Sequence, residues 1–285
     1  MNLKSFLLII TVCCISVLNA QEAVFQTFKD TRVINAHTTE VLPRGKMDIR
    51  IGHRFGDLAG ANGGWSTFYG LEYATDVCIG GEYGLRKNMT VGLYRSKGAS
   101  DLRKNVSLFA KTRLFQQSDK LPVSATLLTL ATVTTMKNAN NPDQIANFKN
   151  FGDRMAYHVG LMVSRKFGNR FSLQLAPSYT YHPTRFSDDV NGIFAMGAVA
   201  KIQLSKHNGI ILDATFPFTQ NKFDGNTRRP ILGIGWEVET GGHVFQINFT
   251  NAEGIMETDY IPYTKSQWSK GEFRLGFTVS RRFNI

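Results

Sequence analysis

The chain has 285 residues, 42% apolar and 19% charged, with a formal charge of +11 at pH 7. No apolar run approaches the ~20 residues that a membrane-crossing helix needs, which excludes a helical membrane protein. Its 26 Gly, 21 Phe and 9 Tyr against only 8 Pro argue against disorder and against collagen-like repeats, and leave a β-rich chain.

Residues 1–20 carry Lys4, the apolar stretch Phe6–Leu18 and a small residue, Ala20, just before Gln21. That order reads as a cleavable export signal, with a mature chain beginning at Gln21. Cys13 and Cys14 fall inside the apolar stretch, and Val12 does not suit Cys13 as a lipid-attachment site. The exported chain keeps Cys78 alone, so no internal disulfide is expected. Its formal charge drops from +11 to +10, because Lys4 is the one charged side chain removed.

The segment Gln21–Gly45 contains Arg32, His37 and Glu40 and ends at the Pro43–Gly45 turn. Three placements are open for it: hanging in the periplasm, adding a strand pair, or folding into a barrel lumen as a plug.

From residue 46 onward, apolar and polar residues alternate with period two, the mark of a sheet with one apolar face. About twelve strands are predicted, near 46–55, 76–85, 89–96, 102–116, 122–136, 154–167, 171–182, 192–205, 210–219, 230–240, 243–252 and 271–285. The last is the clearest: Phe273, Leu275, Phe277, Val279 and Phe283 share one phase, and Glu272, Arg274, Thr278, Ser280 and Arg282 the other. Connections alternate in length. Arg86–Asn88, Gln117–Leu121, Gly168–Arg170, Lys206–Gly209 and Gly241–Gly242 are short; Gly56–Thr75, Lys137–Asp153, Pro183–Asn191, Gln220–Arg229 and Glu253–Lys270 are long, with Lys97–Asp101 an exception. Short turns on one rim and long loops on the other are the pattern of a transmembrane antiparallel up-and-down β-barrel in an outer membrane. An even strand count returns both chain ends to the short-turn, periplasmic side. Aromatics near strand ends on the apolar phase (Phe55, Tyr83, Phe167, Phe171, Tyr181, Phe194, Phe245, Phe283) fit interfacial girdles. A soluble β-sandwich or lipocalin-like barrel also alternates, but its loops need not sort by length.

The stretches TRVINAHTTE (31–40), HRFG (53–56), FYGLEYA (68–74), EYGL (82–85) and GLYRS (92–96) give the chain a family likeness. It resembles an uncharacterised outer-membrane β-barrel family of Bacteroidota, a domain of unknown function. The resemblance implies a barrel and an outer-membrane location and brings no catalytic residues. Tyr94 stands where a small residue would be expected.

With the apolar phase toward lipid, the other phase lines the interior. Its cations are Arg50, Arg54, Lys111, Arg113, Lys201 and Arg274, and its carboxylates Asp48, Glu82, Asp213, Glu237, Glu239 and Glu272. A cation at the midplane of a lipid face costs about 2–4 kcal/mol, so these groups belong inside. They support a narrow passive channel for small polar or anionic solutes. The competing reading is a non-conducting structural or surface-binding barrel with a salt-bridged interior, in which Arg274 and Glu272 pair with Asp48, Arg50 or Arg54 and Glu82 extends the ladder. An outer-membrane hydrolase built on His182 and Asp188–Asp189 is the least supported, since adjacent loop acids are usually only solvated. No Gly-x-Ser-x-Gly or His-Glu-x-x-His motif occurs, and the six His are scattered, so neither an enzyme nor a metal or other cofactor is expected. Basic residues interleave with acids, which gives no nucleic-acid patch. The expected partners are outer-membrane lipid, the barrel-assembly machinery and a small polar or anionic solute.

Overall fold

The computed structural model describes residues 26–141, 143–183, 189–219, 222–223 and 226–285. The export signal at 1–20, residues 21–25 and Asp188 lie outside the described residues. Twelve strands carry the fold: β1 (Lys46–Arg54), β2 (Asp76–Arg86), β3 (Met89–Lys97), β4 (Lys104–Phe115), β5 (Ser124–Thr134), β6 (Met155–Phe167), β7 (Phe171–Tyr181), β8 (Gly192–Gln203), β9 (Asn208–Pro217), β10 (Ile231–Thr240), β11 (His243–Thr250) and β12 (Arg274–Asn284). Each pairs antiparallel with its neighbours in the chain, and β12 closes the barrel against β1 with Ser280 opposite Arg50 and Phe277 opposite His53. Closure leaves no unpaired strand edge, which is the condition for putting a sheet into hydrocarbon.

The alternation predicted from the sequence sorts the two faces. Ile51, Ile79, Leu93, Leu108 and Ile247 are about half exposed on the outer wall, while their neighbours Arg50, Glu82, Lys111 and Gln246 are buried inside. Such a wall would be costly in water and is at home in lipid. Aromatic pairs stand on this outer face near the strand ends, Phe167 with Phe171 at 5.7 Å and Tyr179 with Phe194 at 4.9 Å.

The inner phase is less polar than the charged residues alone suggest. Tyr94, Phe109, Leu128, Leu130 and Met162 point inward and pack with Cys78, Ile255 and Met256. Val199 and Ile211 receive Phe28, Val33 and Ile34, and Ile193 and Ile231 receive Tyr260 and Ile261. These apolar patches are covered by the protein itself, from both ends of the barrel.

From the short-turn rim, residues 26–42 enter the lumen as a hairpin whose two-residue arms, Arg32–Val33 and Ala36–His37, pair with each other. Both legs of the hairpin are fastened at that rim. Ser172 Oγ donates to Thr27 O at 2.7 Å, and Leu42 N donates to Thr90 Oγ1 at 2.7 Å. Gly84 makes room for the exit: a Cβ there would lie 2.0 Å from Pro43 O, so only glycine lets the chain pass. From the opposite rim, the connection between β11 and β12 folds inward and carries the short helix α1 (Glu257–Tyr263), every residue of which is buried.

Candidate functional site

The charged residues of the wall converge on the hairpin. At its tip Ile34 adopts φ 52°, a left-handed turn that leaves successive backbone N–H groups pointing at the wall. Asp213 of β9 takes two of them, accepting from Asn35 N at 2.8 Å and Ala36 N at 3.3 Å, and also from Asn35 Nδ2 at 2.9 Å. Gln246 of β11 accepts from Ile34 N at 3.1 Å and donates to Arg32 O at 2.9 Å. Buried backbone donors must find acceptors, and here wall side chains supply them where no strand can.

Nearer the short-turn rim the contacts become ionic. Asp30 of the hairpin takes both guanidinium nitrogens of Arg50, with Nη1 donating to Oδ2 at 3.0 Å and Nη2 to Oδ1. Burial works against the Asp30 carboxylate, but the charge and hydrogen bonds of Arg50, with Arg282 and the Thr31 N–H, together outweigh it and hold the group below the usual carboxylate range. Lys111 Nζ donates to Thr31 O at 3.1 Å and Glu40 O at 2.7 Å. Glu82 accepts from Thr31 Oγ1 at 3.1 Å and from the Tyr94 hydroxyl at 3.0 Å. Glu40 accepts from Thr27 N at 2.9 Å and Phe28 N at 3.2 Å, with Arg113 Nη2 3.8 Å from its second oxygen.

The hairpin tip meets the loop that enters from the other side. Arg32 donates through Nη2 to Ile255 O at 2.8 Å and through Nη1 to Met256 Sδ at 3.0 Å. Glu257 Oε1 accepts from His37 N at 3.1 Å and lies 2.9 Å from His37 Nδ1. Burial drives the His37 pKa down to about 4 despite Glu257, so the ring is neutral near pH 7 and donates from Nδ1 to an ionised Glu257. Arg54 bridges the two intruding pieces, donating to Asn35 Oδ1 at 2.6 Å and to Gly254 O. On α1, burial raises the Asp259 carboxyl to about 7; it accepts from Asn105 Nδ2 at 2.9 Å.

Arg50, Arg54, Glu82, Lys111, Arg113 and Asp213 thus all reach the hairpin. Asp48 is buried, with Arg50 Nη2 3.7 Å away. Lys201 and Glu237 form an ion pair with each other on the wall, and Glu237 also accepts from Gln246 Nε2 at 3.2 Å. The expected ladder between Arg274 or Glu272 and the first strand does not form. Antiparallel pairing puts Arg282 opposite Asp48 and leaves Arg274 at the long-loop rim, where it donates to Ala252 O at 2.8 Å. Glu272 precedes β12 and accepts from Gln267 N at 2.7 Å, while Glu239 pairs with Lys29 at 2.7 Å at the other rim. Tyr94, in a place where a small residue was expected, fills the lumen by stacking on Phe109 at 5.9 Å. The residues that sequence reasoning did not single out are the hairpin's Asp30, Thr31 and Asn35, together with Glu257; the stretch TRVINAHTTE (31–40) was the visible signal for Thr31 and Asn35, and nothing in the sequence marked Asp30 or Glu257.

Of the hydrolase candidates, His182 and Asp189 are among the described residues. Arg228 Nη2 stands between them, 2.5 Å from Asp189 Oδ1 and 3.2 Å from His182 Nε2, so the acid meets a guanidinium in place of the imidazole. Burial, and then Arg228, lower the His182 pKa to about 4. Among the described residues no group of three or more His, Cys, Asp or Glu side chains is arranged to hold a metal ion.

What space remains inside is small. One cavity of about 20 Å³ is lined by Arg32, Ile34, Arg50, Arg54 and Cys78. Another of about 30 Å³ is lined by His37, His158, Met162, Glu257 and Tyr260. A water needs roughly 10–15 Å³, so each of these cavities holds one or two.

Comparison with known proteins agrees with the architecture. The NanC porin matches with 8% identity over 84% of this chain and 100% of that one, with a TM-score of 0.52, a likeness of fold alone. The COG4313 outer membrane channel from Pseudomonas putida F1 matches at 14% identity over 86% of this chain and 98% of that one, TM-score 0.48. The translocator domain of the autotransporter NalP from Neisseria meningitidis matches at 14% identity over 87% and 91%, TM-score 0.39. No curated protein matches the chain. A family model covering residues 28–283 takes in the hairpin as well as all twelve strands, and by that match the chain belongs to the membrane bound beta barrel domain family, DUF5777.

Proposed function

We propose that this chain is an outer-membrane β-barrel, exported through a cleaved signal peptide, that is closed at rest by its own hairpin and loop helix. It is not an enzyme, and its partners are the surrounding lipid and the barrel-assembly machinery. The observation that carries the reading is the destination of the wall's charges: Arg50, Lys111, Glu82 and Asp213 bond to hairpin residues rather than facing a water-filled passage. A pore needs its charges in contact with solute and water, and a filled lumen uses them as fastenings.

A channel for small polar or anionic solutes stands as the second reading, in a state with the hairpin withdrawn. It is favoured by the entry of the hairpin from one rim and its strongly polar attachment to the wall, since a segment fastened by hydrogen bonds can exchange them for water when it leaves. Planar-bilayer recording separates the two. The full chain at low voltage is expected to carry no steady current, and the chain lacking residues 26–42, checked for a heat-modifiable barrel band, to conduct in small discrete steps limited by the loop that carries α1. Equal conductance from both would overturn closure at rest.

A further inference from the structure

The connection between β1 and β2 carries the most exposed aromatic cluster among the described residues. Trp65 is 76% exposed, Tyr73 57%, Phe68 52% and Tyr69 46%. Trp65 meets Phe68 and Tyr69 edge-on, with ring centroids 6.0 and 6.3 Å apart. These rings are held out rather than left loose. Phe68 and Tyr69 have φ of 47° and 55°, a left-handed backbone that bulky residues avoid. The loop beneath them is tied by Tyr69 N to Gly64 O at 2.7 Å, Gly56 N to Gly70 O at 2.8 Å, and Gly60 N to Asp57 Oδ1 at 3.1 Å. Strain of this kind persists where the surroundings fix it, and it collects at sites that bind.

Height and charge identify what the cluster faces. Wall hydrogen bonding continues past β1 to Ala59 N, which donates to Gly271 O at 3.2 Å. The loop therefore stands beyond the end of β1, at the rim of the long connections. In an outer-membrane barrel that rim faces the cell surface. Residues 56–75 contain Asp57 and Glu72 and no Lys, Arg or His, in a chain whose formal charge is +11. A site for phosphate-bearing headgroups or nucleic acid would need cations. Flat aromatic faces beside the amide of Asn62 and the hydroxyl of Ser66, on a segment with no positive charge of its own, suit a neutral molecule with apolar C–H faces and many hydroxyls.

We propose that this loop is a stacking platform for uncharged saccharide chains at the cell surface. The inference rests on the outer-membrane reading for which side of the membrane the loop faces, but not on whether the lumen is closed. Its test uses the purified full-length protein in detergent on an array of neutral and acidic oligosaccharides. Retention of neutral glycans is expected, with Trp65→Ala and Tyr69→Ala each weakening it about fivefold to tenfold, the size of one aromatic contact. A heat-modifiable band in both variants shows that the barrel is intact. No retention, retention of acidic glycans only, or unchanged retention by Trp65→Ala overturns the proposal. So does loss, in Trp65→Ala, of fluorescence quenching by brominated acyl chains in nanodiscs, which would put the ring in lipid. Glycan retention by a barrel that conducts at rest would leave this inference standing and remove the closed lumen.

Discussion

Asp30→Ala should release the hairpin. Asp30 and Arg50 are both nearly inaccessible, and the guanidinium is engaged through two nitrogens. Removing one partner of a buried pair typically costs about 3–5 kcal/mol, because the remaining charge is left uncompensated. Asp48, 3.7 Å from Arg50, takes up part of that charge, so the low end applies, about 3 kcal/mol or roughly a hundredfold in population. The reporter is already present. Cys78 is 2% exposed, faces the lumen and lines the cavity beneath Arg32 and Ile34. In protein expressed from Gln21 onward it is the one cysteine. Maleimide labelling of Cys78 should therefore accelerate about a hundredfold in Asp30→Ala, since the rate follows the open population. The double variant Asp30→Ala/Arg50→Met removes both charges and should return to within about tenfold of the parent. Labelling unchanged by Asp30→Ala, in protein that still gives a heat-modifiable band, would refute the reasoning that this ion pair fastens the hairpin.

Ile51→Arg puts a cation on the outer wall one residue from Arg50, and should cost about 2–4 kcal/mol in urea titrations of folding into liposomes; a neutral result would contradict a lipid-facing Ile51. Acid should loosen the hairpin as pH falls from 6.5 toward 4. The docked His37, buried among Glu257, Arg32 and Lys111, has its pKa lowered to about 4, whereas a released ring takes up a proton near 6.5. Docking strength is therefore complete above 6.5 and declines by at most ~3 kcal/mol on acidification. Hydrogen exchange across residues 31–40, corrected for intrinsic rates, should show that slope, and His37→Gln should flatten it. Gly233→Val should displace the hairpin tip, because a Cβ there would lie 2.6 Å from Asp213 Oδ1 and 3.0 Å from Ile34 Cγ2. Faster Cys78 labelling with an intact barrel band is the expected outcome, and labelling at the parent rate would place the tip elsewhere.

The strands were legible because lipid acts on every second residue. Isoleucine at 49, 51 and 79 and leucine at 93 and 108 must face outward wherever the strand begins, so the period-two signal repeats along the wall and locates all twelve strands to within a few residues. No comparable rule acts on residues 26–42. Asp30 meets Arg50, Asn35 meets Asp213 and Glu40 meets Lys111 across long sequence separations, in an order set by the shape of the lumen and by no period along the chain. The expected salt-bridge ladder failed for a related reason, since the phase of a strand tells which side a residue faces and not how far along the barrel it stands. Arg274 and Asp48 share the inner face and sit at opposite rims.

One sign of the filled lumen was nevertheless in the strands. In a water-filled barrel the inner phase stays polar, but β5 reads Leu127, Leu128 and Leu130 across both phases, and β9 reads Ile210, Ile211 and Leu212. Only one of two adjacent residues can meet lipid, so Leu128, Leu130 and Ile211 require apolar cover from within. Phe28, Val33 and Ile34 supply it for Ile211, and Ile255 and Met256 lie in the same buried cluster as Leu128 and Leu130. Withdrawing the hairpin would expose the first of these patches to water while the loop helix still covered the second. Opening from the short-turn rim alone therefore costs the seat of the hairpin and leaves the outer half of the lumen occupied, so full conductance requires the loop carrying α1 to move as well.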